Sequence, residues 1–183
     1  LSYIRDGKKL DFKQKLTLVG SLSAPAIMSQ LTSVVMQYID ASMVGRLGAV
    51  PSASIGLVST TTWLFGSICM SATVGYSVQV AQHIGAGRYD SAKSVVRQSL
   101  LIITLLSVIL TVAGLLICKP LPRWLGGDKE LWIDASRYFM VYACAIPIMG
   151  INYLAGSMLQ CSGNMKVPSL LNILMCVLDV LFN

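Results

Sequence analysis

Three long stretches of the sequence contain no Lys, Arg, Asp or Glu, and they constrain the fold more than any other feature. They cover residues 47–87, 98–118 and 138–165. About 20 mostly apolar residues cross the roughly 30 Å hydrocarbon core of a bilayer as an α-helix, and each stretch reaches that length. Only 12% of the residues are charged, against about 25% in an average soluble domain. We therefore predict an all-α, polytopic transmembrane helix bundle.

The apolar runs and the links between them predict five membrane spans. Strands of membrane barrels cover about 10 residues and alternate in polarity, whereas these runs are long and continuous. The links are rich in Gly, Pro or charged residues and cover residues 46–51, 85–92, 120–131 and 162–167. The predicted spans cover residues 16–45, 52–82, 95–118, 132–160 and 168–183, and the last of them is expected to continue past the end of the chain.

The distribution of Lys and Arg predicts the orientation. Cytoplasmic loops carry an excess of these residues. A cytoplasmic N-terminus places nine of them inside and five outside. The net charge of +6 does not predict nucleic-acid binding, because the basic residues flank apolar spans and do not cluster on one domain. We predict a multi-pass protein of the plasma or inner membrane, with the lipid bilayer as its surroundings.

Two acidic residues inside apolar runs, Asp40 and Asp179, are the strongest candidates for function. An Asp near a helix centre costs about 2.5–3.5 kcal/mol on insertion scales, and less towards the interface, so a use is expected for each. Gln30, Ser33 and Gln37 precede Asp40 at steps of three and four residues and form one polar stripe with it. Such a stripe must face other helices or a water-filled cavity. The alternative for either acid is a purely structural role in helix packing.

The two acids are predicted to share one cavity. Asp179 lies eleven residues into the fifth predicted span, roughly 16 Å deep at 1.5 Å per residue, and helical spacing places Asn172 and Asn183 on its face. Because the first and fifth spans both run outward, we expect both acids in the middle-to-outer part of a cavity that Tyr38 and Asn172 line together with the polar stripe. Two carboxylates in one poorly hydrated cavity cannot both ionise freely. At least one could exchange a proton, and the ionised pair could hold Na⁺ or attract an organic cation.

Several short motifs of this chain resemble the multidrug and toxic compound extrusion (MATE) transporters. They fall after Asp40, between the second and third spans, and from the fourth to the fifth span. In order, they are MVGRLGA (43–49), VAQHIGAG (80–87) with AK (92–93) and VRQ (96–98), and LQ (159–160), GN (163–164), Pro168 and LD (178–179). The resemblance covers nearly the whole chain, and the order and spacing of the motifs are more specific than any one of them.

The resemblance implies a secondary active antiporter with two six-helix lobes. Because the chain starts without Met and ends in an apolar run, we expect residues 1–183 to be most of the N-terminal lobe, with the second lobe as a partner in the full-length protein. The family exports cationic, amphipathic drugs and other xenobiotics in exchange for H⁺ or Na⁺. The resemblance therefore implies a small cationic substrate, no enzymatic activity and no cofactor beyond the coupling ion.

The resemblance also assigns roles to individual residues. Asp40 matches the first-helix acid of bacterial members, and Asp179 matches the fifth-helix acid of the prokaryotic branches, which implies proton or Na⁺ coupling at both. Pro25, which is expected to bend the first span as a static kink or a hinge, matches the proline where that helix bends. Met175 departs from the family, which often has Asn at this position.

Three other functions are alternatives to an antiporter. A lipid-linked-substrate flippase of the same fold group needs a basic cavity, and the spans carry almost no basic residues. An intramembrane aspartyl protease also uses two membrane-embedded acids, but Tyr38-Ile39-Asp40 is not a Tyr-Asp pair and Val177-Leu178-Asp179 lacks the Gly-x-Gly-Asp pattern. A purely structural membrane subunit would not need the two acids.

Overall fold

The computed structural model describes residues 11–163 and 166–182 and contains no β-strand within them. Five long helices and one short helix follow each other along the chain. They are α1 (Phe12–Arg46), α2 (Ala49–Gly85), α3 (Tyr89–Ile117), the short α4 (Leu121–Trp124), α5 (Trp132–Cys161) and α6 (Lys166–Phe182), with a 3₁₀ turn at Lys129–Leu131 before α5. The predicted all-α class is therefore confirmed.

A glycine with positive φ stands in each of the four predicted links. These glycines are Gly48, Gly87, Gly126 and Gly163, with φ between 71° and 111°. Residues with a Cβ rarely adopt this conformation, so each glycine allows the chain to reverse direction between two helices. One link is more ordered than expected. Residues 120–131, predicted as a turn-rich link, contain α4, which has a proline in its first turn, where the missing N–H is no loss.

The helices α2, α3 and α5 pack together into a three-helix core. Their buried residues recur at steps of three and four, as on α2 at Val58, Thr62, Phe65 and Cys69. Phe139 of α5 is fully buried and meets Phe65 edge-to-face, with the ring centroids 5.7 Å apart.

Most buried hydroxyl groups of α2 donate within their own helix. Thr62 donates to the carbonyl of Ser59 at 2.7 Å, and Thr73 donates to the carbonyl of Cys69 at 2.9 Å. Ser54 instead donates to the carbonyl of Leu131, in the 3₁₀ turn before α5, at 3.5 Å. Residues of this size also allow neighbouring helices to approach closely, which suits a role in helix packing.

Helices α1 and α6 form a pair beside the core. Each packs mainly against the other, and α1 contacts α2, and α6 contacts α5, only to a small extent. The contact between α1 and α6 is therefore largely separate from the three-helix core.

Three of the helices are long and apolar enough to cross a membrane: Ala49–Gly85, Tyr89–Ile117 and the segment Lys129–Cys161. On α3, the large side chains of Leu101, Leu105 and Leu116 are 68%, 62% and 75% exposed, which suits contact with lipid. Crossing by α1 and α6 stays a prediction. Helix α1 carries the polar stripe and is the least apolar of the five long helices, and the apolar part of α6 is shorter.

Candidate functional site

The side chains of Asp40 and Asp179 meet at the seam between α1 and α6. Asp40 lies six residues before the end of α1 at Arg46, and Asp179 lies thirteen residues after the start of α6 at Lys166, roughly 20 Å along that helix. The two side chains are hydrogen-bonded. The structure thus brings together the two acids that the sequence singled out from positions 139 residues apart.

A hydrogen bond between two carboxyl groups requires a proton. An ionised carboxylate only accepts hydrogen bonds, whereas a protonated one also donates. Two carboxyl groups that share a site commonly hold one proton between them.

One oxygen of the pair has no donor. Oδ2 of Asp179 is buried, and no donor from the described residues reaches it. A buried carboxyl oxygen without a hydrogen bond is costly. Such an oxygen is a candidate acceptor for a proton or a cation.

The other predicted polar residues divide into two groups. Ser33 and Asn172 are half-buried, and each makes a polar or electrostatic interaction. They lie seven residues before Asp40 and Asp179, so each shares a helix face with one acid two turns away. Gln30, Gln37 and Tyr38 are exposed in the described chain, and Tyr38 reaches 74% exposure. Within the predicted polar stripe, Ser33 and Asp40 are therefore half-buried, whereas Gln30 and Gln37 are exposed.

Two predicted residues lie partly or wholly outside the described structure. Helix α1 continues through position 25, but the side chain of Pro25 is outside the described ones, and its role as a bend stays a prediction. Asn183, which was expected on the face of Asp179, is outside the described residues. Met175 is 45% exposed on α6.

The acidic pair alone does not form a metal cluster. The described residues contain no group of three His, Cys, Asp or Glu side chains suited to a metal ion. Two carboxylates could hold a Na⁺ ion only with further oxygen ligands, such as nearby hydroxyl, amide or backbone carbonyl groups. A proton needs no such additional ligands.

Sequence reasoning missed a second concave site. A cavity of about 640 Å³ lies where α3 ends and α5 begins, and Lys119, Arg123 and Arg137 line it together with Trp132. The signal available in the sequence was the recurrence of basic residues and tryptophan between positions 119 and 137. Their convergence depends on the fold of the link, which the sequence pattern did not predict.

The chain is similar to known membrane transporters along most of its length. The family model described as MatE matches residues 25–183. A probable multidrug resistance protein NorM of Rhizobium meliloti is 32% identical over 128 residues, which cover 68% of this chain and 27% of the relative. The FAD transporter of Shewanella oneidensis is 21% identical over 163 residues, which cover 89% of this chain and 36% of the relative.

Solved structures show the same likeness. A transporter of the MOP superfamily from Pyrococcus furiosus superposes with a TM-score of 0.77 and 27% identity, over 86% of this chain and 36% of that one. An outward-facing multidrug resistance MATE family transporter gives the same values. The chain spans about a third of the length of the curated relatives that it matches. Because the family model covers far more than half of the residues, the chain belongs to the MatE family of multidrug and toxic compound extrusion transporters.

Proposed function

We propose that the full-length protein is a secondary active antiporter that exports cationic, amphipathic drugs or other xenobiotics in exchange for H⁺ or Na⁺. Asp40 and Asp179 carry the coupling ion, no other cofactor is needed, and a second lobe completes the transporter. The protein lies in the plasma or inner membrane with its N-terminus in the cytoplasm. The observation that carries the proposal is the hydrogen-bonded acidic pair with a buried oxygen that no described donor reaches.

The pair supplies the exchange that antiport requires. With one proton shared, the two carboxyl groups carry one negative charge; without it, they carry two and repel each other. A cation that approaches the seam favours the deprotonated form, and a proton favours release of that cation. Coupling follows if the protonated and deprotonated pairs have different affinities for the inward-facing and outward-facing states.

The charge of the seam favours a cationic substrate over an anionic one. The relative from Shewanella oneidensis is named an FAD transporter, and a flippase for lipid-linked substrates would likewise handle phosphate groups. Neither anion suits a seam that is built on Asp40 and Asp179, because two acidic side chains repel phosphate. The names of several relatives as probable multidrug resistance proteins also support the proposal.

A shared proton between two aspartates is also the chemistry of aspartyl proteases. That activity belongs to a different class, and membership of a transporter family argues against it. Incubation of the purified protein with a membrane-helix peptide distinguishes the two functions, because a transporter leaves the peptide intact.

The deciding experiment uses the full-length protein in proteoliposomes with the cation ethidium as the transported probe. Uptake driven by a pH gradient is compared with uptake driven by a Na⁺ gradient. Asp40→Asn and Asp179→Asn keep the size of each side chain and remove its titration, so each is expected to abolish ion-driven uptake while ethidium still binds. Asp134→Asn, on the exposed first turn of α5, is the matched control. Ion-driven uptake that survives in both seam variants would refute the proposal.

A further inference from the structure

The cavity between α3 and α5 combines three positive charges with an apolar wall. Lys119, Arg123 and Arg137 line it, and Ile133 and Met140 lie on the same wall as part of α5. The volume of about 640 Å³ is large enough for a phosphate group and the atoms attached to it. The cavity borders the hydrophobic core, because buried Cys118 belongs to both.

The rim of the cavity is held in place by three side-chain contacts. The guanidinium carbon of Arg123 lies 4.6 Å from the centre of the Trp132 ring. The indole Nε1 of Trp132 donates to the carbonyl of Gly127 at 2.7 Å, and Ser136 Oγ donates to the carbonyl of Cys118 at 2.8 Å. Stacking on an aromatic ring leaves the N–H groups of an arginine available for an acceptor, and the planar guanidinium matches phosphate with two parallel hydrogen bonds.

No acidic side chain offsets these charges inside the cavity. Asp128, Glu130 and Asp134 belong to the same region but are exposed and do not line the cavity. In the part of the chain that the structure describes, the ion pair that forms is Lys93 with Asp90, near the start of α3 and far from its cavity end. Three basic groups without a carboxylate partner therefore converge on one concave surface, which attracts an anion.

The predicted depth of the cavity in the membrane indicates which class of anion it would bind. It lies at the ends of two helices that are long and apolar enough to cross a bilayer. Trp124 and Trp132 beside it are typical of the headgroup level. Met140 follows Trp132 by eight residues on α5, so the wall extends roughly 12 Å from that level towards the hydrocarbon. A phosphate that stands beside an apolar wall at this depth is part of a phospholipid.

We propose that this cavity binds an anionic phospholipid, with the headgroup phosphate between Lys119, Arg123 and Arg137 and an acyl chain along Ile133 and Met140. Basic pockets between membrane helices on the cytoplasmic side bind anionic headgroups through such charges, and the same attraction is proposed here for the opposite face. The site lies on the membrane face opposite to the N-terminus of α1, which the Lys and Arg distribution predicts to be the outer one. It is separate from the acidic seam and does not depend on the transported substrate.

The test measures quenching of Trp132 by brominated phospholipids in the full-length protein. Every tryptophan of the full-length protein other than Trp132, including Trp63 and Trp124, is replaced by Phe, and the protein is reconstituted in nanodiscs with brominated phosphatidylglycerol or brominated phosphatidylcholine. Phosphatidylglycerol is expected to quench Trp132 at a lower mole fraction than phosphatidylcholine. Lys119→Gln and Arg137→Gln leave the Arg123–Trp132 stack intact, and each is expected to weaken that preference about fivefold, the factor that corresponds to one basic residue at a membrane surface.

Two controls keep the result specific. Lys129→Gln removes a positive charge from the same region without touching the cavity, so the preference should stay unchanged. Met140→Gln removes part of the apolar wall and is expected to weaken quenching by phosphatidylglycerol. The proposal is overturned by equal quenching from both lipids, or by an unchanged preference in Lys119→Gln and Arg137→Gln. It is also overturned if millimolar inorganic phosphate abolishes the preference while Met140→Gln has no effect, because the site then binds a soluble anion.

Discussion

Gly114 of α3 lies at a close contact between α3 and α5, and a single methyl group there is expected to destabilise the protein. A Cβ at this position would lie 2.9 Å from the Cβ of Ala143 and 3.5 Å from Cε1 of Phe65. Carbon atoms in favourable contact are about 3.5–4.0 Å apart, so Gly114→Ala forces the two helices apart. The Ala143 Cβ is fixed to its backbone and cannot rotate out of the way.

The cost is the difference between two opposing effects. Inserting a methyl group into a well-packed core costs about 1–3 kcal/mol, whereas replacing a helical Gly by Ala returns about 0.5–1 kcal/mol. We therefore expect Gly114→Ala to lower the stability by up to about 2.5 kcal/mol. The apparent melting temperature of the full-length protein in detergent, followed by loss of the monodisperse peak on heating and gel filtration, is expected to fall accordingly.

Two further variants test the close contact between Gly114 and Ala143. Gly75→Ala on α2 adds the same methyl group where no atom lies within 4 Å, so it should leave the melting temperature equal or higher. Ala143→Gly removes the closest atom, so it should restore stability in the Gly114→Ala background beyond the sum of the two single effects. A Gly114→Ala protein as stable as Gly75→Ala, or a strictly additive double variant, would refute the close packing of α3 against α5.

Three further changes test other parts of the structure. Phe139→Ala empties a fully buried site and should cost about 3–5 kcal/mol, whereas Val141→Ala, at a position 67% exposed, should change the melting temperature little; equal effects would contradict the core. Gly87→Ala places a Cβ at φ +71° and should lower stability by about 1–2 kcal/mol, and an unchanged melting temperature would contradict this turn. Because the proposal makes Asp40 and Asp179 one coupling pair, the Asp40→Asn and Asp179→Asn single variants should lose as much ion-driven ethidium uptake as the double variant, and uptake that one single variant keeps and the double variant lacks would show that the acids act separately.

The sequence pattern predicted the helices, the links and the two acids, because these depend on local properties. Apolar length determines a membrane-spanning helix, and a buried charge is costly in any fold. The pattern also placed Gln30 and Gln37 on one stripe with Asp40, but only the packing of α1 against α6 decides which of these residues reach the seam. A helical stripe specifies directions around one helix axis and not the neighbour that each direction meets.

The basic cavity could not be predicted for a related reason. Lys119, Arg123 and Arg137 were assigned to a link and a span end, and their charges were counted for orientation only. They converge because α4 folds back and buries Leu121 and Pro122. The fold of this short helix within the link brings the three basic residues together. Counting Lys and Arg on each side of the membrane does not predict that fold.

The separation of α1 and α6 from the three-helix core explains where an exchangeable ion is expected. In the core, most buried hydroxyl groups, such as that of Thr73, donate to carbonyls of their own helix. At the seam, Oδ2 of Asp179 has no described donor, and under the proposed coupling a proton or a cation offsets the like charges of Asp179 and Asp40. A change of ion occupancy therefore acts first on the contact between α1 and α6, the two long helices with the weakest attachment to the core. We expect any structural response to ion exchange to begin as a shift of this pair against a core that keeps its packing.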